Sequence, residues 1–128
     1  MTYYFAKTVK VPFAEAIDKV TAALKQRGFG VLTTIDVKAT MKAKLDVDFR
    51  PYTILGACNP SFAHKALTAE DKIGTMLPCN VIVQEVEPGT VEVAAVDPIA
   101  SMRGVDNVDL ASIAGDVREL LRATVESL

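Results

Sequence analysis

Hydrophobic and polar residues alternate in some stretches of this chain and recur at helical spacing in others, so the sequence predicts both strands and helices. The run from Tyr52 to Cys58 is nearly all apolar, which is typical of a strand inside a sheet. Residues 87–90 contain Pro88-Gly89 and predict a tight turn, so the strands around it should form a hairpin. The strand-like stretches are 3–11, 29–35, 52–58, 79–86 and 91–96.

Helical patterns separate these strands. After Pro12, apolar residues recur at spacings of four, three and four until Gly28, a typical helix stop: Phe13, Ile17, Val20 and Leu24. A second, short helix is predicted from the Asp36 cap to about Asp46, because apolar residues recur every four positions: Val37, Met41 and Leu45. Asn59-Pro60 and Asp97-Pro98 each combine a preferred cap with a preferred first residue. The last helix is predicted from about Asn107 to near the end of the chain.

The resulting order is β-α-β-α-β-α-β-β-α. This order could form parallel βαβ units, or an antiparallel sheet with its helices on one face. The predicted hairpin is antiparallel, and the last helix must return to cover the sheet. We therefore predict an α+β fold in one domain, 1–128, with a largely antiparallel sheet and the two long helices packed on one face.

Composition narrows the classes of function. At 128 residues with 50% hydrophobic content, the chain can build a full core without a disulfide framework or a metal. A net charge of −2 does not favour nucleic acid as a partner. Two cysteines, no evident signal peptide and no bilayer-length apolar run predict a cytoplasmic protein with free thiols and no membrane association.

The candidate chemistry lies in Cys58-Asn59-Pro60 and Cys79-Asn80, the only two cysteines of the chain. Cys58 precedes a helix start, where unpaired N–H groups and the helix dipole favour a thiolate. The alternative is a cysteine that only fills the core. If the two strands are antiparallel neighbours, both thiols lie at one edge of the sheet; if they are parallel, the thiols are roughly 20 Å apart.

The other candidate residues are His64, Asn59 and Asn80. Cys58, Cys79 and His64, the only histidine, have the ligand types that zinc or copper prefers, although their spacing is not that of known closed sites. The alternative is that His64 is a solvated helix residue, which its position within the helix after Cys58 favours. Asn59 is explained as a helix cap, whereas Asn80 could bind a ligand or hold the 71–78 connector.

Other motifs are absent or explained by the fold. There is no Walker loop, G-x-G-x-x-G or nucleophile elbow. The cluster of Lys38, Lys42 and Lys44 with Arg50 predicts a charged outer helix face, with attraction of an anionic ligand as the alternative. Tyr3, Tyr4 and Phe5 predict either an exposed dimer edge or a cover for one end of the core.

The blocks from Phe49 to Pro60 and from Leu77 to Val83, with Gly28-Phe29 and Val96-Asp97-Pro98, resemble the domain of unknown function 302 family over essentially the whole chain. This resemblance implies a TATA-binding-protein-like α+β architecture and homodimers, with no established activity and no known cofactor. A fold similar to that of a DNA binder does not imply DNA binding, because function resides in the site.

Three hypotheses follow. The first is a small-ligand or soft-metal binding module with its site at Cys58, Asn59, Cys79 and Asn80. The second is a thiol-dependent enzyme or redox sensor, with Cys58 as nucleophile and Cys79 as its resolving partner. The third is a structural or interaction protein in which both cysteines only fill the core.

Overall fold

The computed structural model describes residues 2–128 and confirms the α+β prediction. Five strands form one sheet in the order β1-β5-β4-β3-β2, and every neighbouring pair is antiparallel. The interpretation with parallel βαβ units is therefore excluded. The strands are β1 Tyr4–Val9, β2 Gly30–Asp36, β3 Tyr52–Cys58, β4 Cys79–Glu87 and β5 Thr90–Val96.

The helices begin and end close to the residues that the capping signals indicated. The side chains of Asp36, Asn59, Asp97 and Asn107 each accept a backbone hydrogen bond at the start of a helix. Residues 71–76, predicted as a connector, form a 3₁₀ segment. The helices are α1 Phe13–Gln26, α2 Val37–Leu45, α3 Pro60–Ala69, α4 Pro98–Ser101 and α5 Val108–Glu126, and the 3₁₀ segment is Asp71–Met76.

The core lies between one face of the sheet and the two long helices, α1 and α5. Alternate strand residues point into it, as the period of two requires. Val20 and Leu24 of α1 and Leu121 and Val125 of α5 pack there against the sheet. The buried strand residues include Leu55, Ala57, Val81, Val83, Val91, Val93 and Ala95. The prediction of two long helices on one face is confirmed.

The second helix differs from its pattern. Val37, Met41 and Leu45 recur every four residues, yet none of the α2 residues is buried and Leu45 is 66% exposed. The main contacts of this helix are with β3 and β2 rather than with the two long helices. The apolar stripe of a helix becomes buried only where another layer of secondary structure packs against it.

Candidate functional site

The two cysteines lie at the same end of the sheet because β3 and β4 are antiparallel neighbours. Ala57, which precedes Cys58, is the register partner of Cys79. The end of β3 therefore lies beside the start of β4. The antiparallel pairing of the two strands brings the two cysteines together although they are distant in the sequence. Both cysteines are free; Cys79 is buried and Cys58 is partly buried.

A cavity of about 310 Å³ opens beside these thiols, and we call it the thiol cavity. It lies between the ends of β3 and β4, helices α3 and α5, and the connector before β4. Two of its lining residues, Leu32 and Leu67, are 67% and 45% exposed, so the cavity reaches solvent. The residues that line it are Phe29, Leu32, Ala57, Cys58, Asn59, Phe62, Ala63, Ala66, Leu67, Gly74, Leu77, Pro78, Cys79, Pro98, Met102, Ile113, Ala114 and Val117.

None of these lining residues carries a charge, and asparagine and the thiols are their only polar side chains. Small residues of α3 and α5 leave the space that larger side chains would fill: Ala63, Ala66 and Ala114. Cavities of this size, lined mostly by apolar groups, are typical of small-molecule sites. Sequence reasoning located the thiols but missed these helix residues, because the apolar stripe of a helix looks the same whether or not it borders a cavity.

The Cys79 thiol stays protonated at neutral pH. Burial, and to a lesser extent the neighbouring Cys58, raises the pKa of Cys79 from 9.0 to about 11. A protonated thiol is a weak hydrogen-bond donor and neither a good nucleophile nor a good metal ligand. On this side of the cavity, Cys79 behaves as a small apolar group.

Asn59 is engaged in structure at the rim. Its Oδ1 accepts from the Phe62 N–H at 3.5 Å, and its Nδ2 donates to the Arg27 carbonyl at 3.4 Å. Gly28 has φ of +84°, a conformation that favours glycine, and a Cβ there would lie 3.1 Å from the Asn59 Nδ2. Asn59 thus joins the start of α3 to the end of α1 and shapes the cavity wall.

Asn80 lies apart from the thiols. Successive side chains of a strand point to opposite faces, and Asn80 is exposed on the face away from α1 and α5, whereas Cys79 is buried. The fold brings Cys58, Asn59 and Cys79 to one cavity and leaves Asn80 outside it. The site shared by all four residues gains no support from this geometry and stays a prediction.

His64 also lies outside the cavity. It is exposed on α3, and its carbonyl accepts a hydrogen bond from Thr68 within the helix. Among residues 2–128, no three histidine, cysteine, aspartate or glutamate side chains converge in a way that could hold a metal ion. The trio of Cys58, Cys79 and His64 gains no support from this geometry and stays a prediction.

The remaining surface features have local partners. Lys42 pairs with Asp46 and Asp48, and Lys38 donates to the Phe49 carbonyl. These contacts agree with a charged outer helix face. Over the described residues, no helix is long and apolar enough to cross a bilayer.

The fold and the cavity define a class: a small α+β protein with an open antiparallel sheet and an apolar pocket between the sheet end and two helices. The family described as domain of unknown function DUF302 matches residues 5–128, so the chain belongs to that family. No curated protein is a significant match.

The chain is also similar to the crystal structure of an uncharacterized conserved DUF302 protein from Bacillus stearothermophilus. The two sequences are 30% identical, the alignment covers 98% of each chain, and the TM-score is 0.89. The family resemblance inferred from the two cysteine blocks is confirmed. The TATA-binding-protein-like architecture implied by it stays a prediction.

Proposed function

We propose that this protein is a binding module for a small, uncharged, apolar molecule held in the thiol cavity. The observation that carries the proposal is an uncharged cavity of about 310 Å³ whose lining includes the exposed side chains of Leu32 and Leu67. An anionic ligand would find no cation among the lining residues. A soft metal ion would have to displace the proton of Cys79, and burial makes this harder because it raises the pKa of that thiol to about 11.

The two other hypotheses have less support. A redox pair needs a resolving thiolate, and the raised pKa of Cys79 opposes its formation at neutral pH. A purely structural role for the thiols leaves the open cavity unexplained, since protein interiors are ordinarily packed without such voids. The cysteines would then contribute shape and weak polarity to the pocket.

Thermal unfolding in the presence of defined probes tests the proposal. Toluene, naphthalene and 1-octanol represent uncharged apolar ligands, while phosphate, octanoate and Zn²⁺ represent the alternatives. A ligand that binds the native state stabilises it by about 2.7 kcal/mol at a concentration of 100 Kd. We expect the apolar probes to raise the melting temperature and the anions and the metal to have no effect.

A cavity-filling variant makes the test specific to this site. Ala63→Phe places a ring in the cavity from α3 and should abolish the stabilisation by apolar probes. Ala111→Phe on α5 is the matched control, because Ala111 is exposed and does not line the cavity. If no apolar probe stabilises the protein, or if Ala63→Phe responds like the control, the proposal is refuted.

A further inference from the structure

The lining of the thiol cavity offers a ligand no charged side chain and little strong side-chain hydrogen bonding. Both polar groups of the Asn59 side chain are already bound, one to the Phe62 N–H and one to the Arg27 carbonyl. The other polar side chains of the lining are the thiols of Cys58 and Cys79, which are weak donors and acceptors. Selection among uncharged ligands therefore depends on the size of the cavity and on the kinds of apolar group around it.

The volume of the cavity suits two fused rings better than one. At about 310 Å³, it has about twice the roughly 150 Å³ of an engineered apolar cavity in another protein that holds one benzene molecule. An apolar ligand gains affinity in proportion to the apolar area that it removes from water. A ligand that fills the whole cavity should therefore bind better than a single ring.

Sulfur is concentrated at this cavity. The chain has six sulfur-containing residues, two cysteines and four methionines, and three of the six line the cavity. They are Cys58 at the end of β3, Cys79 at the start of β4 and Met102 directly after α4. The lining consists of only 18 of the 128 residues, so half of the sulfur atoms meet in a small part of the molecule.

A lining rich in sulfur favours aromatic ligands over saturated ones. Sulfur is polarizable, and a contact between sulfur and an aromatic ring strengthens binding by about 2- to 12-fold. Because burial raises the pKa of Cys79 to about 11, its thiol keeps its proton at neutral pH. The S–H group can then approach the face of an aromatic ring, which carries partial negative charge. A saturated ring has no such face and gains only from burial.

Two phenylalanine rings act in the same direction. Phe29, directly before β2, is 3% exposed and belongs to the core, and Phe62 of α3 packs against that core. Both line the cavity. Offset or edge-to-face contacts between aromatic rings contribute affinity beyond the burial of their area. Sulfur atoms and rings from five separate parts of the chain therefore surround the same space.

We propose that the thiol cavity selects flat, uncharged, two-ring aromatic molecules. This inference rests on the proposed function and adds which apolar molecules the cavity prefers. Cys79 and Met102 are then specificity-determining residues, which contact the ligand from the sheet and from the end of α4. A cavity that selected by apolar burial alone would bind the saturated ring system at least as tightly, because that system has at least as much apolar surface.

Isothermal titration calorimetry with a matched pair of ligands tests the inference. Naphthalen-2-ylmethanol and its fully hydrogenated counterpart share the ring skeleton and a hydroxymethyl group that keeps them in solution. We expect the wild-type protein to bind the aromatic member about tenfold more tightly. Met102→Leu, which conserves volume, and Cys79→Val should each weaken aromatic binding by about 2- to 12-fold and change the Kd of the saturated member by less than about twofold. Met76→Leu is the matched control, because Met76 is 45% exposed and does not line the cavity, and it should leave both Kd values unchanged.

The possible results separate this inference from the proposed function. If neither ligand binds, both are overturned. If the saturated member binds as tightly as the aromatic one or more tightly, the proposed function stands and the inference is overturned. A preference for the aromatic member that persists in both Met102→Leu and Cys79→Val, or that falls equally in Met76→Leu, overturns the role of the sulfur atoms. Should Cys79→Val not fold, Met102→Leu alone must lower the preference.

Discussion

Gly56 lies where β3 passes the loop that leads into Cys79, and no larger residue fits there. A Cβ at this position would lie 2.8 Å from the Pro78 Cγ and well inside contact distance of the Thr33 Oγ1. Carbon atoms in favourable contact are about 3.5–4.0 Å apart. Gly56→Ala therefore forces the Pro78 ring and the Thr33 side chain away from the strand.

The expected loss of stability in Gly56→Ala comes from overpacking, because the space around Gly56 is already filled. Adding a methyl group to a well-packed position destabilises by about 1–3 kcal/mol. For a chain of this length, each kcal/mol lowers the melting temperature by about 4 °C, so the expected loss is about 4–12 °C. Because Pro78 lines the thiol cavity, the same change should weaken the binding of apolar probes.

Urea unfolding of Gly56→Ala, beside a matched control, measures this cost. Gly30 is the control, because a Cβ there meets nothing within 4 Å and its φ is not positive. Gly30→Ala should leave stability unchanged or raise it by about 0.4–1 kcal/mol. Thr33→Ala should partly rescue Gly56→Ala, since it removes one of the two clashes. A Gly56→Ala variant as stable as wild type would refute the reasoning.

Three further predictions concern the groups around the site. Because the pKa of Cys79 is raised in the folded state, its thiol contributes stability that is present below pH 9 and is lost, on the order of 2–3 kcal/mol, as the pH rises through about 11. The difference in unfolding free energy between wild type and Cys79→Ala should therefore shrink over that pH interval. Parallel curves of unfolding free energy against pH would contradict this prediction. Asn59→Ala removes a helix cap and the bond to the end of α1, so it should cost about 1–2 kcal/mol in urea unfolding, and an unchanged midpoint would show that these bonds contribute nothing. Arg118→Ala leaves the buried Asp97 carboxylate without its 3.2 Å partner and should lower the free energy of unfolding by about 1–3 kcal/mol. Arg122→Ala, on the exposed side of the same helix, should lower it by less, and equal losses of unfolding free energy would refute the role of burial.

Much of the secondary structure was predictable because its signals are local. Asp36, Asn59 and Asp97 are short polar residues placed just before helices, and the structure confirms each as a cap. Pro88-Gly89 predicted the hairpin turn, and Gly89 indeed has φ of +79°. Such signals depend on a few neighbouring residues, so they can be identified without any knowledge of the fold.

The candidate site was predictable only in part. Antiparallel pairing of two apolar strands was enough to place Cys58 and Cys79 at one sheet end. The helix alanines that border the cavity carry no distinguishing pattern. Asn80 follows Cys79 directly along the chain, yet strand alternation turns it to the other face.

The sequence by itself determined the elements, their caps and the family, because these depend on short-range geometry and on residues adjacent along the chain. Only the tertiary structure decided the strand order and the cavity. Each of these brings together residues from distant parts of the chain, and their proximity is set by the packing of the whole sheet against α1 and α5. Helix α2 illustrates the same point. The spacing of Val37, Met41 and Leu45 predicts a helix, but only the tertiary structure decides whether another layer packs against these residues and buries them.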